Sequence, residues 1–482
     1  MFNKAREMVT KETGGHYPAP IAAIDCVETG LRDGVEAGLA CEIERFATLV
    51  ESDASRNLRE VFFMKQEVDK DPVVSGRTRP VEVRKVAVLG GGLMGAGITQ
   101  QLAWSGYDVR LKDKDAQGLG WGLNYSKDLF DKAVKYGKIA GPAADVAFGR
   151  IAGTTTYDGV GTSELVIEAV FEDLELKQQV IREVEALGTK EQIFASNTST
   201  IPIGRLAEAS GRPQNLIGMH FFSPVHKMPL LEIIKTEKTS AKAIATALAV
   251  GRGLGKTCIV VDDGPGFFTS RVIGAYVNEA GWLLQEGAAI EDIDEAMRNW
   301  GFPVGPMKLV DEVGIDVAHN AGTVLAEAFE ERWDSPSSLS VIAQDDRKGR
   351  KNERGLYLYE NGKVKGPDPT IYDLVGGGRE RKQFSQKTIQ DRCVLAMLNE
   401  CVYCLQEEVV THPRDIDIGV IFGLGFPPFR GGILHYADSE GIPSIVDAMN
   451  QLASEYGERL RPAQQLVDMA KANDTFFSAT RG

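Results

Sequence analysis

The sequence predicts an α/β fold in which a doubly wound parallel sheet is preceded by a helical segment and followed by two related all-α domains. Three observations lead to this prediction. Strand-like apolar runs alternate with helical patterns between residues 85 and 263. A long helical region follows, and one stretch of its sequence is echoed further along the chain. At 482 residues, the chain is also too long for a single core.

Residues 1–80 are expected to form a helical segment that ends in a linker. Apolar side chains recur there at helical spacing, at Ala22, Val27, Leu31, Ala40, Ile43, Phe46 and Leu49. Residues 69–84 are polar and contain Pro72, Gly76 and Pro80, which is typical of a linker. We therefore expect the next domain to begin at residue 85.

A glycine-rich turn follows the first predicted strand of the domain at 85–263. The apolar residues 86–89 lead into Gly90, Gly92 and Gly95, spaced as G-x-G-x-x-G. The first glycine permits a tight turn, the second lets the backbone approach a diphosphate, and the third lets the next helix pack closely. A second strand, 109–111, leads to Asp113, placed as an acid that binds a ribose would be. Together they predict a Rossmann-type dinucleotide-binding domain.

The rest of this domain is expected to complete the sheet and its covering helices. Further strands are predicted at 165–169, 193–195, 216–222, 230–234 and 258–261, and helices at 171–185 and 241–254. Ligands of doubly wound sheets bind beyond the carboxyl ends of the strands. Residues that directly follow each strand are therefore the candidates for a site.

The helical region contains an internal repeat. Residues 271–279 are echoed by 392–400, residues 301–303 by 425–427, and Asp311 by Asp438. The repeat predicts two related helical domains, 264–370 and 371–482, packed as a pseudo-symmetric pair and joined by the stretch around 362–387. One chain would then supply both halves of a helical interface, so we expect a monomer, with a homodimer as the alternative.

Residues 218–232 predict a strand, a proline-bounded reversal and a second strand. His220 and Glu232 flank the reversal symmetrically, so a hairpin-like return places the carboxylate opposite the imidazole. That arrangement suits a general base. The alternative is a histidine bonded within the sheet and a glutamate on the surface.

Polar residues also follow two other predicted strands. Residues 196–200, which include Asn197 and Ser199, lie at the ligand edge or else form a helix N-cap. Glu172 and Lys177 follow the strand at 165–169, where ordinary helix-face charges are the alternative. For each of these two groups, both interpretations remain open at this point.

Composition limits the classes of function. The net charge of −14 argues against a nucleic-acid-binding surface. The sequence shows no leader pattern and no apolar run of about 18 residues, so we expect a cytoplasmic protein without a membrane span. Six scattered cysteines indicate free thiols, and Cys401 and Cys404 are expected to pack within a helix rather than to bind a metal.

The chain resembles the L-3-hydroxyacyl-CoA dehydrogenases, and specifically the dehydrogenase portion of the multifunctional fatty-acid β-oxidation enzymes. Ordered matches carry the resemblance, at residues 89–97, 168–172, 196–202, 218–232, 263–268, 301–316, 349–352 and 422–432. The resemblance implies NAD-dependent oxidation of an L-3-hydroxyacyl-CoA to the 3-ketoacyl-CoA.

The resemblance also implies roles for individual residues. His220 is the expected catalytic base, Glu232 its partner, and Ser199 lies near both the substrate oxygen and the nicotinamide. The implied NAD site comprises Gly90, Gly92, Met94, Gly95, Asp113, Val170, Glu172, Lys177, Asn197, Ser199, Ser223 and Lys351. The implied substrate residues are Ser199, Ser270 and Phe422. Some family members carry asparagine where Ser223 and Ser270 stand, and tyrosine where Phe422 stands.

Residues 16–20 and 61–63 resemble the segment that follows the hydratase core in the multifunctional enzymes. No room remains before residue 85 for that core, so we expect a fragment that retains the linking helices. The implied partners are an acyl-CoA substrate and a thiolase subunit. Two alternatives are an oxidoreductase of a free 3-hydroxy acid and a non-catalytic assembly subunit. Lys132, Lys135 and Lys138 are candidate ligands of the CoA phosphates, or else a solvated helix face.

Overall fold

The computed structural model of the chain describes residues 1–74, 78–376 and 378–477 and divides into two compact units. The sheet unit comprises Gln66–Ser270 and Glu407–Thr411. The helical unit comprises Met1–Lys65, Arg271–Gln406 and the chain from His412 onward. Gly76, which was part of the predicted linker, lies outside the described residues.

The N-terminal segment is helical, as the apolar spacing predicts. Its helices are α1 (Phe2–Thr13), α2 (Pro18–Asp33), α3 (Val35–Glu51) and α4 (Asp53–Lys70). Gly34 joins α2 to α3 with a φ of 98°, a backbone conformation that favours glycine. The two helices pack so closely that a Cβ on Gly38 would lie 2.8 Å from the Gly30 Cα. Residues 71–74 and 78–84 are irregular, which fits the predicted linker.

Eight strands form one sheet in the sheet unit. They are β1 (Lys85–Leu89), β2 (Asp108–Lys112), β3 (Ile151–Thr154), β4 (Leu165–Glu168), β5 (Ile193–Ser196), β6 (Leu216–Phe221), β7 (Leu230–Lys235) and β8 (Thr257–Asp262). Their order is β3-β2-β1-β4-β5-β6-β7-β8, and all neighbours are parallel except β6 and β7. Strands β2 and β3 extend the sheet on one side of β1, and the strands from β4 onward extend it on the other side. The switch point between β1 and β4 is therefore the expected ligand position.

The predicted strands are all present, and the sheet contains one that the sequence pattern did not reveal. Strand β3 lies at the edge and consists of Ile-Ala-Gly-Thr, with one large apolar side chain. The central strands are nearly continuous apolar runs because both of their faces are covered. Val86, Val88, Ile167 and Ala195 are completely buried in this core.

Helices of the sheet unit follow the strands in alternation. They are α5 (Leu93–Trp104), α6 (Ala116–Lys135), α7 (Gly141–Phe148), α8 (Leu174–Leu187), α9 (Ile203–Ala207) and α10 (Ala241–Gly253). Helices α8 and α10 correspond to the two predicted ones, with ends that differ by a few residues. The doubly wound α/β domain is therefore confirmed.

The C-terminal region is mostly helical and carries one short hairpin. Its elements are α11 (Thr269–Glu286), α12 (Ile290–Trp300), α13 (Pro306–Val313), α14 (Ile315–Ala328), α15 (Ser337–Gln344), β9 (Tyr357–Glu360), β10 (Lys363–Pro367), α16 (Ile371–Leu374), α17 (Gln386–Gln406), α18 (Pro413–Leu424), α19 (Ile433–Glu440), α20 (Ile442–Tyr456) and α21 (Gln464–Ala472). The predicted joining stretch thus contains strand β10 and the short helix α16. Cys401 and Cys404 are buried within α17, as expected.

The internal repeat appears in the structure as a pair of reciprocal ion pairs. Arg271 of α11 contacts Glu400 of α17 at 2.5 Å, and Arg392 of α17 contacts Glu279 of α11 at 2.5 Å. In the sequence repeat, Arg271 corresponds to Arg392 and Glu279 to Glu400. Each buried arginine therefore meets the glutamate of the other repeat, which is the contact pattern of a two-fold interface.

Within the described ranges, no helix is long and apolar enough to cross a bilayer. In that same part of the chain, no group of three or more histidine, cysteine or acidic side chains is arranged to hold a metal ion.

Candidate active site

The glycine turn at the end of β1 has the geometry that a dinucleotide requires. A Cβ on Gly95 would lie 1.8 Å from the carbonyl oxygen of Gly90, so helix α5 packs on the turn only because residue 95 is glycine. Gly90 has a φ of 106°, which also favours glycine. Gly92 faces open space, with no atom within 4 Å of an added Cβ. This opening at the start of α5 fits a diphosphate, and Met94 lies half-buried in the first turn of the helix.

Asp113 lies against this turn, just beyond the end of β2. One carboxylate oxygen accepts from the backbone N–H of Gly91 at 2.6 Å, and the other accepts from the backbone N–H of Lys114 at 2.7 Å. A Cβ on Gly118 would lie 2.4 Å from the carboxylate, so α6 approaches closely here because residue 118 is glycine. The carboxylate is thereby fixed beside the turn, where it fits a ribose hydroxyl.

A chain of three charges begins at the last residue of strand β4, and two of the three side chains are buried. The Lys177 Nζ lies 2.6 Å from Glu168 and 3.1 Å from Glu172. Lys177 and Glu168 are each 1% exposed, so Lys177 is not an ordinary helix-face charge. Burial opposes the charge on Lys177, but the two carboxylates hold its pKa above the usual value. Glu168 also accepts from the backbone N–H of Val170.

Glu172 organises the polar loop at residues 196–200. Its carboxylate accepts from the Thr198 hydroxyl at 2.5 Å and from the Ser199 N–H at 3.2 Å, while the Ser196 hydroxyl donates to Glu168 at 2.7 Å. Although burial opposes ionisation, Lys177 and the loop donors hold the pKa of Glu172 below its usual value. The charge chain therefore connects β4 to the loop that follows β5.

The loop does not cap helix α9, so the N-cap alternative is wrong. The residue before α9 is Pro202, which gives no side-chain cap. Asp263 instead accepts from the N–H groups of Ile203 and Gly204, each at 2.7 Å. The capping carboxylate comes from beyond β8, which leaves the side chains of the loop available for other contacts.

His220 and Glu232 are direct neighbours across the antiparallel pair of β6 and β7. The two residues are in register, and His220 Nδ1 lies 2.9 Å from Glu232 Oε2. Glu232 is completely buried and His220 is 8% exposed, so the alternative of a surface glutamate is wrong. A carboxylate at Nδ1 places the ring proton there and leaves the lone pair on Nε2.

The Glu232 carboxylate is held by four donors. Oε1 accepts from the N–H groups of Phe268 and Thr269, each at 3.0 Å, at the start of α11. Oε2 accepts from the Thr269 hydroxyl at 2.5 Å and from His220. A helix N-terminus with aligned N–H groups stabilises a carboxylate in its charged form.

Further contacts join the loop at 196–200 to the histidine strand. Asn197 Oδ1 accepts from the N–H of Phe221 at 2.9 Å, directly after His220. The Ser270 hydroxyl donates to the carbonyl oxygen of Ser199 at 2.9 Å. Ser223 is exposed at the start of the reversal between β6 and β7. The structure thus brings Asn197, Ser199 and Ser270 together with the His220 strand.

Two of the expected site residues belong to the helical unit. Lys351 lies in a single 3₁₀ turn, and its Nζ is 2.9 Å from Asp316. Partial burial opposes ionisation of Asp316, but the bond from Lys351 holds its pKa below the usual value. Phe422 is half-buried in α18.

A group of cationic side chains surrounds the reversal between β6 and β7. Burial lowers the pKa of His226, and so do the positive charges of Lys227, Lys256, Lys138 and Lys132. The Lys256 Nζ donates to the carbonyl oxygens of Val225, at 2.5 Å, and Met228, at 2.7 Å. Lys132 and Lys138 are both exposed, as on a solvated helix face, and their charges also act on His226.

The sequence pattern missed three residues that shape this site: Glu168, Asp263 and Thr269. Glu168 carried a local signal, because it is a carboxylate inside an otherwise apolar strand. Asp263 and Thr269 lie in and next to the motif at 263–268, but their partners come from distant parts of the chain.

Two family models match most of the chain. The model of the 3-hydroxyacyl-CoA dehydrogenase NAD-binding domain matches residues 85–264. The model of the C-terminal domain of the same family matches twice, at residues 266–359 and 389–479. The chain belongs to the 3-hydroxyacyl-CoA dehydrogenase family. As a member, it is an NAD-dependent oxidoreductase of 3-hydroxyacyl-CoA thioesters.

Individual proteins of this family show the same similarity. A fatty acid oxidation complex subunit alpha from Shewanella halifaxensis is 45% identical over 480 residues, covering 99% of this chain and 68% of that protein. An (S)-3-hydroxybutyryl-CoA dehydrogenase from Ralstonia eutropha is 34% identical with a TM-score of 0.56, over 58% of this chain and 100% of the other. A 3-hydroxybutyryl-CoA dehydrogenase from Escherichia coli shares the fold, with a TM-score of 0.70 and 24% identity over 82% of this chain and 99% of the other.

Proposed function

We propose that this dehydrogenase uses His220 as the general base in the oxidation of an L-3-hydroxyacyl-CoA to the 3-ketoacyl-CoA. The observation that carries the proposal is the buried His220–Glu232 pair, joined at 2.9 Å in the same unit as the glycine turn. His220 Nε2 takes the proton from the C3 hydroxyl. NAD, when bound, supplies the acceptor for the hydride that leaves C3. The completely buried Glu232 carboxylate stabilises the imidazolium that forms.

We assign the NAD-binding role to the residues around the switch point of the sheet. The glycine turn receives the diphosphate, and Asp113 accepts from a ribose hydroxyl. Val170, Asn197, Ser199 and Ser223 complete the site in the sheet unit, together with Met94. Lys177 is 1% exposed, so its contribution passes through Glu172, whose carboxylate orients the loop. We propose the same NAD-binding role for Lys351, as the family resemblance implies.

Ser199, Ser270 and Phe422 are the proposed substrate residues. The Ser270 hydroxyl donates to the Ser199 carbonyl, which supports a role in positioning Ser199 where other members use an asparagine. The cationic side chains near His226 support binding of the CoA phosphates, since lysines at close range attract phosphate groups. Lys132 and Lys138 belong to this set. The name of the Shewanella relative supports a place in fatty acid oxidation.

We further propose four segments: a helical linker at 1–80, the NAD-binding domain at 85–263 and helical domains at 264–370 and 371–482. The reciprocal ion pairs between α11 and α17 support a monomer that contains its own two-fold interface. Relatives named as subunits of a complex support a protein partner, for which we propose a thiolase because it would consume the 3-ketoacyl-CoA. The six free cysteines support a reducing, cytoplasmic location.

The substrate class is tested by comparing acetoacetyl-CoA with acetoacetate in the reverse reaction with NADH. We expect acetoacetyl-CoA to be reduced far more efficiently, because the free acid lacks the phosphates that the cationic side chains attract. Charge-reversal of Lys138 to glutamate should raise KM for acetoacetyl-CoA with little change in kcat. Equal efficiency with the free acid would contradict the proposed substrate class.

A further inference from the structure

Among the described residues, the Glu232 carboxylate has one side-chain donor besides the histidine. The Thr269 hydroxyl donates to the same oxygen, Oε2, that His220 Nδ1 contacts. Thr269 is 1% exposed and Glu232 is completely buried, so water does not replace this donor. Two donors therefore share one oxygen of a buried carboxylate.

Adjacent hydroxyls at the start of α11 have different partners. Thr269 points its hydroxyl to Glu232, whereas the Ser270 hydroxyl donates to the Ser199 carbonyl. The backbone N–H groups of Phe268 and Thr269 fix the other carboxylate oxygen. The start of α11 thus donates hydrogen bonds to both oxygens of Glu232. Of these bonds, the one from the threonine hydroxyl is the one that a substitution removes without changing the backbone.

We propose that Thr269 is a positioning residue that controls how strongly Glu232 holds the proton on His220. The proposal rests on the proposed roles of His220 and Glu232 and adds to them a residue that does not touch the reacting atoms. By donating to Oε2, the hydroxyl withdraws negative charge from the side of the carboxylate that faces the imidazole. Without it, Glu232 becomes a stronger acceptor toward His220.

The groups that face this histidine restrict the interpretation of a pH experiment. Within the described part of the chain, Glu232 on β7 is the ionisable side chain bonded to His220. The ring of Phe222 lies 4.6 Å from the imidazole and that of Phe267 lies 6.4 Å away, and neither titrates. Around Glu232, the other donors are N–H groups and the Thr269 hydroxyl. A change at residue 269 therefore reaches the imidazole through Glu232.

The variants Thr269→Val and Thr269→Ser separate the hydroxyl from the bulk of the side chain. Valine keeps the branched shape and removes the donor, whereas serine keeps the donor. We expect the acid limb of kcat/KM against pH to move upward in Thr269→Val by about 0.5 to 1 pH unit, a roughly three- to tenfold change in proton affinity. Thr269→Ser should stay close to the wild type. Thr323→Val is the matched control, because it removes an exposed hydroxyl that donates to the carbonyl oxygen of His319 in the same helix.

A measurement on the enzyme without substrate gives a second readout. The ¹⁵N resonances of the six histidines are followed with pH, and His220 is assigned by its loss in His220→Gln. The midpoint of the His220 transition should move upward in Thr269→Val, whether or not His220 is the catalytic base. Thr269→Ala serves the same purpose if the valine variant does not fold.

An unchanged midpoint in Thr269→Val, with activity lowered equally at every pH, would show a purely structural role and overturn the proposal. A shift that appears equally in Thr269→Ser would also overturn it, since the hydroxyl would not be its cause. Failure of the proposed function gives a different result: His220→Gln would then keep full turnover, while the NMR midpoint would still report on Thr269.

Discussion

Replacing Lys177 by methionine removes the ammonium between Glu168 and Glu172 while keeping an unbranched side chain in its place. Lys177 and Glu168 are each 1% exposed and are joined at 2.6 Å. Loss of one partner from such a buried pair costs about 3 to 5 kcal/mol of unfolding free energy. Glu168 keeps its bonds from Val170 and Ser196, and Glu172 is 38% exposed, so we expect the lower end, about 3 kcal/mol.

The assay is urea-induced unfolding with and without NADH. A ligand stabilises the unit that binds it, so the transition that NADH shifts reports the sheet unit. Lys127→Met is the control, because its pair with Asp131 in α6 is 49% and 61% exposed and should contribute less than about 0.5 kcal/mol. Adding Glu168→Gln to Lys177→Met should recover much of the loss, since no unpaired buried charge then remains. If Lys177→Met lost no more unfolding free energy than Lys127→Met, the buried ion pair would not have the stabilising role inferred here.

Three other predictions test the cofactor site and its charges. Gly95→Ala should weaken NADH binding at least tenfold in a fluorescence titration, because its Cβ would lie 1.8 Å from the Gly90 carbonyl oxygen; unchanged affinity would contradict the geometry of the turn. Asp113→Ser should narrow the preference for NADH over NADPH, measured as the ratio of kcat/KM values, since a carboxylate repels a 2′-phosphate. The pKa of Glu172 is held below its ordinary 4.5, so its ionised form stabilises the fold at neutral pH and this contribution is lost as pH falls below about 4.5. The difference in unfolding free energy between wild type and Glu172→Gln should therefore shrink below that pH; a constant difference would contradict the assignment.

The sequence predicts those parts of the site whose geometry is local. His220 and Glu232 are separated by a short reversal, and the two-residue period of a strand fixes which side chains of a hairpin face each other. The glycine turn is equally local, because each glycine is required by a neighbour in the same βαβ unit. The sequence alone therefore predicts the His220–Glu232 pair and the dinucleotide-binding turn.

Contacts between distant segments were not accessible in this way. The cap that Asp263 provides to α9 joins residues 60 positions apart in the sequence, and the bond from Thr269 to Glu232 joins residues 37 positions apart. The sequence shows the repeat at 271 and 392, but not that the arginine of each copy pairs with the glutamate of the other. A repeat in sequence does not determine which faces of its two copies pack together. Strand β3 was missed because a short edge strand needs few apolar side chains.

The assignment of His220 as the general base is tested by the turnover of His220→Gln with (S)-3-hydroxybutyryl-CoA and NAD. We predict that kcat falls by about 100- to 10,000-fold, the usual contribution of a positioned base. The dissociation constant of NADH should stay within about threefold of the wild type, because the glycine turn and Asp113 are untouched. Near-normal turnover in the folded variant, with NADH still bound, would contradict the assignment.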